Sequence, residues 1–324
     1  MKRPSAFITG IAGFAGSYLA EELLAAGYRV SGTIYGDEPL DNILPFMHKL
    51  DLHPLDILDT GQCEISLKRL RPNFVFHLAA FSSVGQSFKN DRLTYRINFD
   101  GTLNMLQAAA GVKQLRRFIY VSSSDVYGAF SPKGKTLTEA QPFNPSSPYA
   151  ISKAAAEHAC RFYFRYHELP VVIARSFNHS GPRQNDNFVI PSFAKQIAAI
   201  EAGRRQPVIN IGDLSARRDL SDVRDIVHGY RLLAEKGRPG EVYHFCCGKA
   251  VAIKSILDSL LKLTSRPIKA KTDKRLLRKT DIPVLRGSNR RIVKELGYKT
   301  RYTLKDTLSD TLNYWREKTK ARTQ

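Results

Sequence analysis

A chain of 324 residues can bury a sizeable core, in one large domain or two closely joined ones, and 43% hydrophobic with 25% charged residues is the balance of ordinary globular proteins. No apolar run approaches the roughly 20 residues needed to span a bilayer, which excludes a membrane-spanning helix. The net charge of +20 raises nucleic acid as a partner, but the cations are spread without interleaved aromatics, which argues against nucleic acid and for an enzyme with anionic ligands.

Met1-Lys2-Arg3-Pro4 leads straight into a strand pattern, with no signal-peptide apolar region or cleavage site, so a cytoplasmic protein is expected. Residues 5–9 form the short apolar run of a buried parallel strand. It enters Thr9-Gly10-Ile11-Ala12-Gly13-Phe14-Ala15-Gly16, then a helix pattern to Ala26, and a second strand begins after Gly27. In this order of strand, glycine-rich turn, helix and strand, the backbone approaches a pyrophosphate held at the helix N-terminus. Gly10, Gly13, Phe14, Ala15 and Gly16 are therefore expected to bind a dinucleotide. An acid ending the second strand favours NAD, and a basic cluster there favours NADP. Ile34-Tyr35-Gly36-Asp37-Glu38 has no arginine and its acids come late, which leans to NAD(H) and leaves dual use open.

The third strand is expected near residues 49–53. After it, Asp56 is placed to bond the adenine amino group with Ile57 covering the ring; a helix N-cap is the other reading of Asp56. The fourth strand, residues 73–80, ends in Leu78-Ala79-Ala80, small enough to leave room for the cofactor, and His77 reads as a packed strand residue. Residues 91–112 read as a long helix, with Asn98 expected on the cofactor side. The fifth strand, residues 116–122, delivers Ser122-Ser123-Ser124-Asp125 to the edge of the sheet. Residues 148–167 form a helix on which Tyr149 and Lys153, four apart, share one face. A fixed positive charge beside a phenol favours phenolate and pulls its pKa towards neutrality, which suits proton exchange with a carbonyl/alcohol pair. A sixth strand covers residues 170–175.

Strands alternating with helices imply right-handed crossovers and a parallel sheet. The expected fold is α/β: a Rossmann-type doubly wound parallel sheet over residues 1–175, with returning segments near 219–250, and a smaller C-terminal α/β substrate-binding lobe over 176–324. That second half contains a polar loop at 176–183, helices at 190–203, 222–236, 253–263 and 304–318, and a strand at 207–211. Cys63, Cys160, Cys246 and Cys247 lack metal-ligand spacing and form a poor disulfide frame, so they read as reduced thiols, with no metal site.

The glycine turn at 9–16, His77-Leu78-Ala79-Ala80, the serine after the fifth strand and the Tyr149/Lys153 pair together resemble the extended short-chain dehydrogenase/reductase superfamily, and the match runs from end to end. Within it, Ser82-Ser83-Val84, Ser147-Pro148-Tyr149, the segments 177–182 and 188–197, and Gly212-x-Leu214-x-Ala216-x-Arg218-Asp219 are similar to the GDP-mannose branch. That branch holds GDP-mannose 4,6-dehydratases and GDP-4-keto-6-deoxy-D-mannose reductases. Segments 222–227, 242–248, 282–287 and Tyr314-Trp315-Arg316 resemble the reductases most closely.

The resemblance implies roles. Lys153 binds the nicotinamide ribose and lowers the Tyr149 pKa, Tyr149 protonates the sugar oxygen, and Ser123 bonds the same oxygen. Ser83 and Asn178 contact substrate, Asn178 at its pyrophosphate. Arg218 and Arg278 pair with phosphate or ribose, as fixed guanidinium forks do well. Asp281 holds the GDP-side ribose, and Val189 lines the guanine pocket. Lys279 departs from the proline more usual there. The helices at 91–112 and 148–167 imply a homodimer, with Phe162, Tyr163 and Tyr166 on the pairing face or in the core.

Both branch reactions move hydride at the sugar's C4. A dehydratase also needs a base at C5, usually glutamate after the fifth strand; here that position is Asp125, one methylene shorter. Ile34-Tyr35 replaces the arginine pair of NADP-holding dehydratases, and no basic residue lies near Ser192. These features favour the reductase, giving GDP-D-rhamnose or its C4 epimer. The alternatives are a dehydratase with tightly bound NADP and Asp125 as C5 base, and a non-catalytic nucleotide- or nucleic-acid-binding protein. The last predicts loss of Tyr149, Lys153 or the glycines, and all are present.

Overall fold

The computed structural model describes residues 3–128, 136–276 and 282–321. The first apolar run is β1 (Ser5–Thr9), followed by α1 (Phe14–Ala25), β2 (Arg29–Ile34), β3 (Asp51–Pro54), α2 (Thr60–Leu70) and β4 (Phe74–His77). A short α3 (Val84–Ser87) comes next. The helix expected at 91–112 is broken into α4 (Asp91–Tyr95), a π-helical turn over Arg96–Asp100 and α5 (Gly101–Ala110). Wide turns of this kind recur at functional sites. Then come β5 (Arg117–Ser123), α6 (Pro148–His167) and β6 (Val171–Ser176). Helix α6 starts where the sequence tells it to: Pro148 holds the first helical position, and the Ser147 hydroxyl accepts the Ala150 N–H at 3.1 Å.

The second half contributes β7 (Asn178–Ser180), α7 (Val189–Glu201), β8 (Val208–Ile211), β9 (Arg217–Asp222), α8 (Val223–Lys236), β10 (Val242–Phe245), β11 (Ala250–Ala252), α9 (Ile253–Leu261), β12 (Lys269–Thr272), β13 (Val284–Leu285), α10 (Arg290–Leu296) and α11 (Leu304–Ala321). The main sheet has the order β10-β6-β5-β4-β1-β2-β3, with every neighbouring pair parallel. Strand order reverses between β1 and β4, and the crevice at such a switch point is where open α/β sheets bind ligands. Two registers aim residues at it: Thr9 lies opposite His77, and Ser123 opposite Ser176.

Successive strand residues face opposite sides of the sheet. Ile8 accordingly joins Leu19, Leu23, Ile226 and Phe245 under α1 and α8, while Phe7 joins Val75, Leu106, Phe118 and Ala156 under α5 and α6. A third cluster around Phe193, Ile197, Ile209, Leu257 and Leu312 ties α7, β8, α9 and α11 together. Strand β9 pairs with β7, β11 and β13 in a small mixed sheet, which brings Arg218 towards the crevice. Cys63, Cys160 and Cys246 are buried free thiols and Cys247 is half-buried. Among the described residues no helix is long and apolar enough to cross a membrane.

Candidate active site

The carboxyl ends of β1, β4, β5 and β6 open on a cavity of about 750 Å³. Gly10 leaves β1 at φ +72°, where an L side chain is strained. At Gly16 an added Cβ would come within 2.1 Å of the Gly10 carbonyl oxygen, so only glycine lets the helix start over the turn. Gly13 precedes α1 without a capping side chain, and the first turn has no acid. The first-turn N–H groups and the positive helix end are left for an anion. This cradle, which any Cβ would fill, fits the pyrophosphate of a dinucleotide.

The neighbouring loop is fixed by a closed hydrogen-bond chain. Thr102 Oγ1 donates to the Asn98 carbonyl at 2.6 Å and so accepts from His77 Nε2 at 3.1 Å. His77 Nδ1 then accepts from Thr9 Oγ1 at 2.8 Å, and that oxygen accepts the Leu78 and Ala79 N–H groups at 3.1 Å. Burial pushes the imidazole down to about 3, so it is neutral and structural, as its strand position suggests. Asp56 lines the cavity and accepts the Leu58 N–H at 2.9 Å; the cap of α2 is Asp59, which removes the N-cap reading of Asp56. Ile57 lines the cavity beside it.

Asn98 does not meet the expectation of a cofactor contact. It is buried, its Oδ1 accepts the Phe81 N–H at 2.7 Å, and its Nδ2 donates to Ser152 Oγ at 2.9 Å. Ser152 Oγ in turn donates to the Tyr149 carbonyl at 2.7 Å. With its amide spent inside the protein, Asn98 ties the loop after β4 to the helix bearing Tyr149.

Tyr149 lies in the first turn of α6 and Lys153 one turn later, both buried and both on the cavity wall. Lys153 Nζ donates to the Val121 carbonyl at 2.9 Å and lies 5.1 Å from the centre of the Tyr120 ring. Ser123 Oγ donates to Asp125 Oδ2 at 2.9 Å and accepts the Asp125 N–H at 3.1 Å. The expected lowering of the Tyr149 pKa by Lys153 is reversed. Burial and the Asp125 carboxylate push the phenol above its ordinary value, against a Ser123 hydrogen bond that lowers it. The ammonium suffers the same desolvation: burial brings Lys153 down to about 8. The phenol therefore holds its proton at neutral pH.

Ser83, Asn178 and Arg218 also reach the cavity, so one space gathers the expected cofactor, catalytic and substrate groups. Ser83 accepts the Gln86 N–H at 3.3 Å as the cap of α3. Arg218 Nη1 donates to the Ile282 carbonyl at 2.6 Å. Val189 stands on the first turn of α7 at 42% exposure, and Asn187 and Phe188 line the cavity in its place. Arg278, Asp281 and Lys279 lie outside the described residues.

Several wall residues were not singled out from the sequence. Ser176 and Tyr230 share a buried hydrogen bond of 2.6 Å. His179 stacks on Phe14 with ring centres 5.9 Å apart; Glu38, one of the late acids after β2, also lines the cavity. Ser176 had a signal, a polar residue closing an apolar strand at the sheet's carboxyl edge. Tyr230 had none, because a tyrosine on the apolar face of a helix reads as core.

The GDP-mannose 4,6 dehydratase family matches residues 7–311. The GDP-6-deoxy-D-mannose reductase of Pseudomonas aeruginosa is 33% identical over 309 residues, covering 95% of this chain and 96% of the relative. The GDP-mannose 4,6-dehydratase of Sinorhizobium fredii is 28% identical over 334 residues, covering 94% of each. Among solved structures, RMD from Pseudomonas aeruginosa complexed with NADPH superposes with a TM-score of 0.84 at 31% identity, covering 97% of this chain and 99% of that one.

Proposed function

The chain belongs to the GDP-mannose 4,6 dehydratase family, and within it we propose an NAD(P)H-dependent reductase that converts the C4 keto group of GDP-4-keto-6-deoxy-D-mannose to the alcohol, giving GDP-D-rhamnose or its C4 epimer. The observation that carries this reading is the Asp125 carboxylate. It is one methylene shorter than the usual C5 base, and its Oδ2 is held by the Ser123 hydroxyl at 2.9 Å. The reductase relative, at 33% identity over nearly the whole chain, agrees with it.

When bound, the reduced nicotinamide supplies hydride to the carbonyl carbon. Ser123 turns its hydroxyl from Asp125 to the sugar oxygen and polarises it. Tyr149 delivers its proton to that oxygen as negative charge develops there. Its raised pKa keeps the phenol protonated until then, and an alkoxide is still the stronger base. Lys153 anchors the nicotinamide ribose by its ammonium, and Gly10, Gly13, Phe14, Ala15 and Gly16 hold the pyrophosphate. Asn178 contacts the GDP pyrophosphate and Arg218 pairs with its phosphate or ribose, with Arg278 expected to do the same and Asp281 expected to hold the GDP-side ribose.

Between the two cofactors, Glu38 supports NADH. Its half-buried carboxylate accepts the Tyr35 N–H at 2.8 Å at the end of β2, where a 2′-phosphate would meet negative charge. A homodimer is supported by Ile151, Phe162 and Tyr166, exposed on one face of α6 at spacings of eleven and four; Tyr163 packs partly into the core. The experiment gives the purified protein the keto sugar and reduced nicotinamide. One cofactor oxidised per sugar reduced is the expected result, and no oxidation overturns the reading.

A further inference from the structure

Behind the serine segment lies a charge pair that the proposed reaction does not touch. Glu157 stands on α6 one turn beyond Lys153, and Arg175 lies on β6 just before its last residue, Ser176. The two side chains are 0% and 1% exposed, and Arg175 Nη2 meets Glu157 Oε2 at 2.7 Å, with Nε–Oε1 at 2.9 Å. Glu157 Oε1 also accepts the Ser122 hydroxyl. Arg175 Nη1 donates to the Tyr127 hydroxyl and to the Glu139 carbonyl at 3.0 Å, and Tyr127 bonds His244 Nε2. The guanidinium lies over the rings of Tyr127 and Phe143.

A buried ion pair loses in desolvation about what it gains in attraction, and apolar residues of the same size would hold the fold as well. The connections of this pair point to another use. Ser122 and Ser123 are successive residues of one strand, so their side chains face opposite ways. Glu157 holds the Ser122 hydroxyl while the Ser123 hydroxyl bonds Asp125, and both serines line the cavity. The same helix carries Tyr149 and Lys153. The grip therefore sets Ser123 against Tyr149, and Arg175 fixes the carboxylate that does it.

We infer that Glu157 and Arg175 are positioning residues that hold the Ser122–Ser123 backbone so that Ser123 and Tyr149 converge on one substrate oxygen. This rests on the reaction proposed above. Catalytic groups are sensitive to such placement, since a misplacement of about 1 Å costs on the order of 100-fold in rate.

Ser122→Ala cuts the grip without leaving a buried charge. Expected is a kcat lower by about 10- to 100-fold, with the sugar KM and cofactor Kd within about twofold of wild type and the folded fraction unchanged. Glu157→Gln keeps the shape but removes a carboxylate that, after Cys160, raises the Lys153 pKa. The ammonium is otherwise faced by Tyr120 and His77 from the sheet and by Cys160 on its own helix, and Glu157 acts to raise its pKa. The alkaline limb of activity should move to lower pH in Glu157→Gln and stay in place in Ser122→Ala. A folded Ser122→Ala with wild-type kcat overturns the inference, as does a folded Glu157→Gln with wild-type kcat and an unmoved limb. If the wild type ignores the keto sugar but turns over GDP-mannose, the proposed reaction has failed. The same variants compared on GDP-mannose then still decide the positioning role.

Discussion

The two walls of the cavity are made by different means. The cofactor wall, from Gly10 to Gly16 with Leu78–Ala80, is shaped by side chains that are missing. A Cβ at Gly16 would lie 2.1 Å from a backbone oxygen, and His77 with Thr9 pins the facing loop. The catalytic wall, Ser123 and Asp125 with Tyr149 and Lys153, is shaped by buried or half-buried polar groups held by hydrogen bonds. The first wall should fail when volume is added. The second should fail when a proton or charge is removed, with the fold intact.

The largest effect is expected at the second wall. Tyr149→Phe removes the acid and little volume, so kcat should fall by about 1,000-fold while reduced cofactor binds as before, measured by fluorescence titration. An active variant would remove Tyr149 from its role. At the first wall, Gly16→Ala should do the reverse: cofactor affinity falls by about 100-fold because the turn must shift, and the sugar contacts are untouched. Comparable affinity in a folded Gly16→Ala would contradict the volume account.

A smaller effect sharpens the comparison from within the cofactor wall. On the proposed reading of Glu38, Glu38→Ala should move the ratio of kcat/KM values for NADH and NADPH by about tenfold towards NADPH. An unchanged ratio would separate Glu38 from cofactor choice.

The smallest effect is on stability. Lys153 falls from its ordinary 10.5 to about 8 in the folded protein because burial disfavours the ammonium. Between those values the unfolded chain binds more protons, so the Lys153 contribution to stability rises with pH across the window from about 8 to 10.5. Activity should run the opposite way, declining as Lys153 loses its charge above about 8. Lys153→Met should flatten the stability rise in urea unfolding, and an identical slope would assign it to other groups.

The first wall was legible because its constraint is local. Glycines at 10, 13 and 16 between a strand and a helix encode the turn, and the helix cap Ser147-Pro148 places Tyr149 and Lys153 on one face. The direction of the Tyr149 shift was not legible. It depends on how deeply packing buries the phenol and on the Asp125 carboxylate, which proximity along a helix does not reveal. The same holds for Asn98, drawn away from the cofactor by Phe81 and Ser152, and for Val189, turned outward by the start of α7 while Phe188 faces the cavity. Ser176 and Tyr230, 54 residues apart, meet only through the packing of α8 on the sheet.

Reduction and dehydration are separated most directly by following one hydrogen. With nicotinamide deuterated at the transferring position and GDP-4-keto-6-deoxy-D-mannose, deuterium should appear at C4 of the product by NMR, and GDP-mannose alone should give nothing. Formation of the 4-keto-6-deoxy sugar from GDP-mannose alone, with its C4 hydrogen carried to C6, would contradict the account.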